Sequence, residues 1–187
     1  MTKQYRNTPR ANWIDYETGI FFITICTKNR IHYFGTITDG VMFLSDIGKI
    51  VENHLHNASK YMKNIDIPLY VIMPNHIHLI VCVNINPDYG NYVNPISQRN
   101  PNPVLRANPT CQRQVPTLSK YINSFKGAVC KDVRKICSDF AWQPRYHDHL
   151  IRNDREATMI SDYIINNVAK WDEDCFNATC QRHVPTV

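Results

Sequence analysis

At 187 residues, with 43% hydrophobic and 20% charged positions, the chain has the length and apolar content of one domain with its own core. A formal charge of +5 and a pI near 8.8 favour a polyanionic partner only weakly, because net charge governs association and not fold. The polar, basic start MTKQYRNTPRANW has no apolar centre and no later run approaches membrane-spanning length, so neither a secretory signal nor a membrane segment is expected. Seven scattered cysteines without a Cys-x-x-Cys pair fit neither a disulfide framework nor a zinc knuckle, which makes a reducing cytoplasm the expected location.

In chain order, GIFFITICT (19–27) is rich in aromatic and β-branched residues and predicts a buried strand. TITDGVMFL follows, with Asp39-Gly40 as a hairpin turn. From Leu44 the period changes: Leu44, Ile47, Val51, Leu55, Ala58 and Met62 recur every three or four residues behind Ser45 or Asp46, which predicts an amphipathic helix ending near Lys63-Asn64. IPLYVIM and HIHLIVCV, separated by Pro74-Asn75, predict two antiparallel strands. Residues 84–116 carry much of the Pro and Asn and lack periodicity, so an irregular, mobile insertion is expected there.

A second helix is predicted after Pro116-Thr117, with Leu118, Ile122, Phe125, Val129, Val133 and Ile136 on one stripe and a basic side bearing Lys126, Lys131 and Arg134. AWQPRYHDHLI predicts a strand, Asp154 is the expected cap of a last helix running to about Trp171, and residues 172–187 are expected to form a flexible tail. Strands in sequence around two helices predict an α+β, ferredoxin-like antiparallel sheet with helices on one face and a further C-terminal helix. NPTCQRQVPT (108–117) and NATCQRHVPT (177–186) match at eight of ten positions, too short a repeat for an architectural unit.

The chemistry-bearing stretch is VIMPNHIHLIV (71–81). In a strand, alternate side chains share a face, so His76 and His78 project together while Ile77 and Leu79 point away, and two imidazoles so placed can hold one ion. A polar, water-facing strand edge is the bland alternative. His54 and His56 lie on a predicted helix, where i and i+2 diverge; His147 and His149 are a more serious rival, being two apart on a predicted strand. On the last helix Tyr163 and Asn167, at i and i+4, share a strip beside the apolar stripe of Ala157, Ile160, Ile164, Val168 and Trp171.

Taken in order, VIMPNHIHLIV, the FKGA of the basic helix, WQPRYHDHLIRN and DYIINNVAKW resemble the REP-associated tyrosine transposases, single-tyrosine members of the HUH endonucleases, from about Asn12 to Trp171. The resemblance implies that His76 and His78 are the HUH metal-binding pair, Tyr163 the nucleophile and Asn167 the third protein ligand of Mg²⁺ or Mn²⁺. It implies a metal-dependent single-stranded DNA endonuclease and strand transferase that passes through a 5′-phosphotyrosine on hairpin or repeat DNA. Free tyrosine has a pKa of about 10, so such a nucleophile needs activation, which a nearby cation supplies. His149, in the same motif, is implied as a phosphate or structural contact.

Relatives commonly carry Asn-Asn-Pro after the tyrosine; this chain has Asn166-Asn167-Val168, which removes a helix terminator. Basic residues expected along a DNA backbone are Arg145, Arg152, Lys126, Lys131 and Arg134. A homodimer stands as an alternative to a monomer. The rival class is a non-catalytic single-stranded nucleic-acid-binding module of RNA-recognition-like fold; it lacks an RNP-type aromatic motif here and would not need His76, His78, Tyr163 and Asn167 together.

Overall fold

The computed structural model describes residues 16, 18–84, 117–174, 176 and 177. Apart from Asn84, Thr117 and Asn177, the expected 84–116 insertion and both copies of the ten-residue repeat lie outside these residues. A four-stranded antiparallel sheet has the order β4-β5-β1-β6, from β1 (Gly19–Cys26), β4 (Ile65–Met73), β5 (His76–Val83) and β6 (His147–Leu150). Helix α1 (Asp46–His56) with the single turn α2 (Ala58–Tyr61) connects β1 to β4, and α3 (Leu118–Val133) connects β5 to β6. This β-α-β-β-α-β order is the ferredoxin-like arrangement expected.

Each element has a local cause. Between β2 (Gly35–Thr38) and β3 (Val41–Leu44), Asp39 and Gly40 take φ of 53° and 71°, the left-handed pair that a two-residue hairpin needs. Ser45 Oγ accepts from the Gly48 amide at 3.1 Å to start α1, and Thr117 Oγ1 accepts from Lys120 at 3.3 Å to start α3. The first helix is broken at Asn57, where the expectation was a continuous run to Met62. The strand expected over AWQPRYHDHLI is confined to His147–Leu150, with Trp142 making only an isolated bridge to Thr27.

Side chains of Phe21, Ile23, Ile25, Ile77, Leu79 and Val81 are buried with Val51 and Leu55 of α1 and Leu118, Ile122, Phe125 and Val129 of α3. Each such aliphatic or aromatic side chain contributes about 1.5–3 kcal/mol by leaving water. Alternate residues of the same strands, Ile20, Phe22 and Ile80, face the other way and pack with Ile160 and Ile164 of α4 (Asp154–Asn166). Thus α1 and α3 cover one sheet face and α4 covers the other. The period of two that puts His76 and His78 together also puts them on the α4 side.

Helix α4 departs from the sequence reading at both ends. Its cap is Asn153, not Asp154: Asn153 Oδ1 accepts from the Glu156 amide at 2.8 Å. It ends at Asn166, where the periodic stripe pointed to Trp171; a turn and a short 3-10 segment, Trp171–Glu173, follow. Of the expected tail, Asp172, Glu173, Asp174, Phe176 and Asn177 are described, and two of these, Asp174 and Phe176, pack by the histidines as set out below. Among the described residues no helix is long and apolar enough to cross a membrane.

Candidate metal and tyrosine site

Strand β5 is central in the sheet and buried along its whole length, so His76 and His78 sit in an apolar setting at 0% and 2% exposure. Their Nε2 atoms are 3.0 Å apart. Burial pushes both imidazoles toward the neutral form: His76 is held well below its ordinary range by desolvation, then by His78, Arg30 and His32, and His78 is lowered to about 3 by desolvation and His147. Two neutral imidazoles with adjacent Nε2 atoms are a pair of lone-pair donors.

Their far nitrogens are fixed. Asn75, fully buried in the β4–β5 turn, donates through Nδ2 to the carbonyls of Arg30 (3.1 Å) and Phe176 (2.8 Å), which leaves its Oδ1 to accept from His76 Nδ1 at 2.8 Å. His76 therefore carries its proton on Nδ1 and offers Nε2 as a lone pair. Across the sheet from His78, in register, Thr24 Oγ1 is 2.9 Å from His78 Nδ1. Both rings have the outer hydrogen bond that orients a metal-binding histidine.

The tyrosine expected as nucleophile comes to this pair. Tyr163 Oη is 3.2 Å from His78 Nε2, its ring lies edge-on to Phe22, and 43% of the residue is exposed. Phe22 in turn stacks on the His78 ring at 5.3 Å. The hydroxyl is thus aimed at the paired imidazole nitrogens while the ring remains partly open to solvent.

Two buried oxygens in the segment after Tyr163 have no hydrogen-bond partner among the described residues: Asn167 Oδ1 and Asp174 Oδ2. Asp174 Oδ2 is 3.7 Å from His76 Nε2, and ligand atoms of His76, His78 and Asp174 all lie within 4.8 Å of one another. Asn167, at the end of α4 one turn beyond Tyr163, is 4% exposed. Orphaned buried acceptors are costly without a partner, and neutral imidazole plus oxygen is a donor set that Mg²⁺ or Mn²⁺ accepts. Neighbouring ligands of an octahedral ion at about 2.1 Å stand about 3 Å apart, as the two Nε2 atoms do. The residues present therefore fit such an ion.

Sequence reasoning missed Asp174, because it follows the helix in a stretch with no periodicity. Phe176, its ring 4.6 Å from that of His76, and Trp171, 6.1 Å away, were missed likewise. Of the rival pair, His147 and His149 pair in register with Thr24 and Phe22 and so share this face. His149 Nε2 is bound to Glu156 Oε1 of α4, whose Oε2 accepts the Arg152 amide. Together with Phe22, Asn153, Arg155, Met159 and Ile160 they line an open groove of about 510 Å³.

The expected basic contacts are not gathered here. Helix α3, with Lys126 and Lys131 on it and Arg134 capping its C-terminal end, lies on the sheet face away from the histidines. Lys126 Nζ donates to the carbonyls of Gln143 (2.8 Å) and Arg145 (2.9 Å), and burial lowers its pKa. Arg134 Nε donates to the Phe140 carbonyl at 3.2 Å, while Lys131 borders a separate cavity with Tyr121 and Asp132. Arg145 has a left-handed φ of 68° just before β6, and Arg152 lies exposed between β6 and α4.

The fold is that of a solved structure, the REP-associated tyrosine transposase bound to a REP hairpin, which superposes with a TM-score of 0.55 at 17% identity over 87% of this chain and 74% of that one. A Deinococcus radiodurans structure aligns at a TM-score of 0.44 with 13% identity, over 84% and 96% of the two chains. No family model matches the sequence. An uncharacterized protein of Haemophilus influenzae is 32% identical over 173 residues, 91% of this chain and 92% of that one. The chain belongs to the same protein family as that Haemophilus influenzae protein.

Proposed function

We propose that the protein is a divalent-metal-dependent nuclease and strand transferase acting on single-stranded hairpin or repeat DNA, with Tyr163 as the nucleophile. The observation that carries this reading is the approach of Tyr163 Oη to 3.2 Å from His78 Nε2, beside a second neutral imidazole nitrogen. His76 and His78 would hold the ion, with Asn167 Oδ1 and Asp174 Oδ2 as the oxygens available to it. A bound Mg²⁺ or Mn²⁺ supplies charge stabilisation to a phosphate and lowers the pKa of a nearby hydroxyl.

The chain's own residues supply the rest. The Tyr163 Oη–P bond forms, the P–O3′ bond breaks, the phenol proton passes to solvent and the departing oxygen takes up a proton as a free 3′-OH. Rejoining runs these changes backwards with another 3′-OH, and the phenolate leaves. Phe22, packed on both His78 and Tyr163, holds the attacking ring at the pair. The groove past Phe22, His147, His149 and Arg155 is open enough for an unpaired strand, and its Phe22 ring offers a face on which a base can stack.

The test is denaturing electrophoresis of protein incubated with Mn²⁺ and a labelled single-stranded hairpin. The reading expects a covalent band from wild type and none from Tyr163→Phe. DNA that is bound equally by both proteins and never cleaved would instead favour the non-catalytic binding module.

A further inference from the structure

We propose that Arg30 grips a backbone phosphate of the single strand on the His76 side of the site, across the histidine pair from Tyr163. The inference rests on the reading that this face takes single-stranded DNA, and it adds a strand-orienting contact outside the basic helix and the β6–α4 segment.

Ring contacts define two sides. Tyr163 is beside His78, with ring centroids 5.2 Å apart. Phe176 is beside His76 at 4.6 Å and further from His78 at 6.3 Å. The Arg30 guanidinium lies over the Phe176 ring, 3.9 Å from its centroid. A strand whose scissile phosphate meets the histidines and Tyr163, and whose one arm follows the groove past Phe22, His149 and Arg155, would send its other arm past His76, toward this cation.

Arg30 is placed, not merely nearby. It follows β1 in a short 3-10 turn, and both Asn29 and Arg30 hold left-handed φ values of 56° and 58°. A non-glycine residue in that region is strained and persists only where surrounding contacts enforce it. Those contacts are present: Thr27 Oγ1 donates to the Ile31 carbonyl at 2.8 Å, and Asn75 Nδ2 donates to the Arg30 carbonyl at 3.1 Å. The second of these is made by the side chain that sets the His76 tautomer, so the loop and the metal-binding ring are fixed by one residue.

The guanidinium itself is unspent. Among the described residues no carboxylate pairs with it and no oxygen accepts from it; the aromatic ring is its only partner. A guanidinium with five donors aimed at no protein acceptor, stacked at the edge of a nucleic-acid site, has the chemistry of a phosphate receptor. It is indifferent to base identity, so the ligand is any single-stranded phosphodiester.

Binding of a fluorescent single-stranded hairpin with a flanking tail, measured in chelator across a salt series, tests this without reference to cleavage. Arg30→Ala should weaken binding uniformly across tail sequences and reduce the slope of log K against log salt by about 0.7, one phosphate contact on a single strand. Arg30→Lys should restore most of the slope. A neutral methylphosphonate at one linkage in the tail should weaken wild type while leaving Arg30→Ala unaffected. An unchanged slope in Arg30→Ala, or lost affinity that tracks a lowered Tm with the slope intact, overturns the inference and leaves Arg30 as packing for Phe176. No binding of any single strand by wild type removes the functional reading itself, and the inference with it.

Discussion

Asn75 and His76 are adjacent in sequence and joined by a 2.8 Å hydrogen bond in which the Asn75 side chain accepts from the imidazole Nδ1. Because the other end of the Asn75 amide is committed to two carbonyls, the bond runs in one direction and leaves His76 Nε2 as a lone pair. Asn75→Ala is expected to strand two half-buried carbonyls and one buried imidazole N–H, costing about 2–4 kcal/mol of stability. The same change should weaken Mn²⁺ binding by about 10- to 100-fold, as loss of an orienting partner does. Thermal unfolding and metal titration of the variant check the two effects separately.

Burial makes acid the enemy of this site. Both histidines have lowered pKa values in the fold, so the unfolded chain binds the extra protons. Stability is whole above the ordinary histidine value of 6.5 and declines as pH falls toward about 3 for His78. Each histidine adds a slope of about 1.4 kcal/mol per pH unit within that window. Urea unfolding of metal-free protein at pH 7, 6 and 5 should show the decline, and His78→Gln should reduce its slope to about half, leaving the His76 contribution. Stability that is level from pH 7 to 5 in wild type would contradict neutral, buried imidazoles.

Gly48 offers a sign test of the packing. In an ordinary helix interior Gly→Ala stabilises by about 1 kcal/mol. Here a Cβ would stand 2.2 Å from the Phe34 carbonyl oxygen, backbone that cannot rotate away. Gly48→Ala is therefore expected to lower Tm by several degrees, and a raised Tm would show that α1 sits further from the β1–β2 connection.

Much of this was legible in the sequence, for physical reasons that also explain what was not. A strand's period of two put His76 and His78 on one face, Asp39-Gly40 marked the β2–β3 turn, and the i, i+4 spacing brought Tyr163 to the strip that reaches His78. Asp174, Phe176 and Arg30 come from a turn and a left-handed loop, where no periodicity reports direction and only the folded chain brings them to His76. Lys126 and Arg134 show a further limit: the sequence reports their charge but not the carbonyls that accept from them, which only the fold reveals. The cap moved from Asp154 to Asn153 because either side chain can accept, and only the backbone geometry selects.

Asn167 and Asp174 contribute the two orphaned oxygens, and removing either should show in ion binding before it shows in folding. Asn167→Ala is expected to weaken Mn²⁺ binding by about tenfold or more, with unfolding temperature little changed because no hydrogen bond to its Oδ1 is lost. Asp174→Asn keeps the shape and removes the charge; a parallel loss assigns the carboxylate to the ion as well. Mn²⁺ titration followed by electron paramagnetic resonance reads both. Unchanged affinity in both variants would restrict the protein's ligands to His76 and His78.

The central claim is that Tyr163 itself takes up the DNA. The most direct measurement is proteolysis and mass spectrometry of wild-type protein after reaction with Mn²⁺ and a single-stranded hairpin oligonucleotide. The account predicts a nucleotide joined through its 5′-phosphate to the peptide bearing Tyr163, together with a free 3′-OH on the released strand. Cleavage with no peptide modified, or with the nucleotide on another residue such as Tyr146, would contradict it.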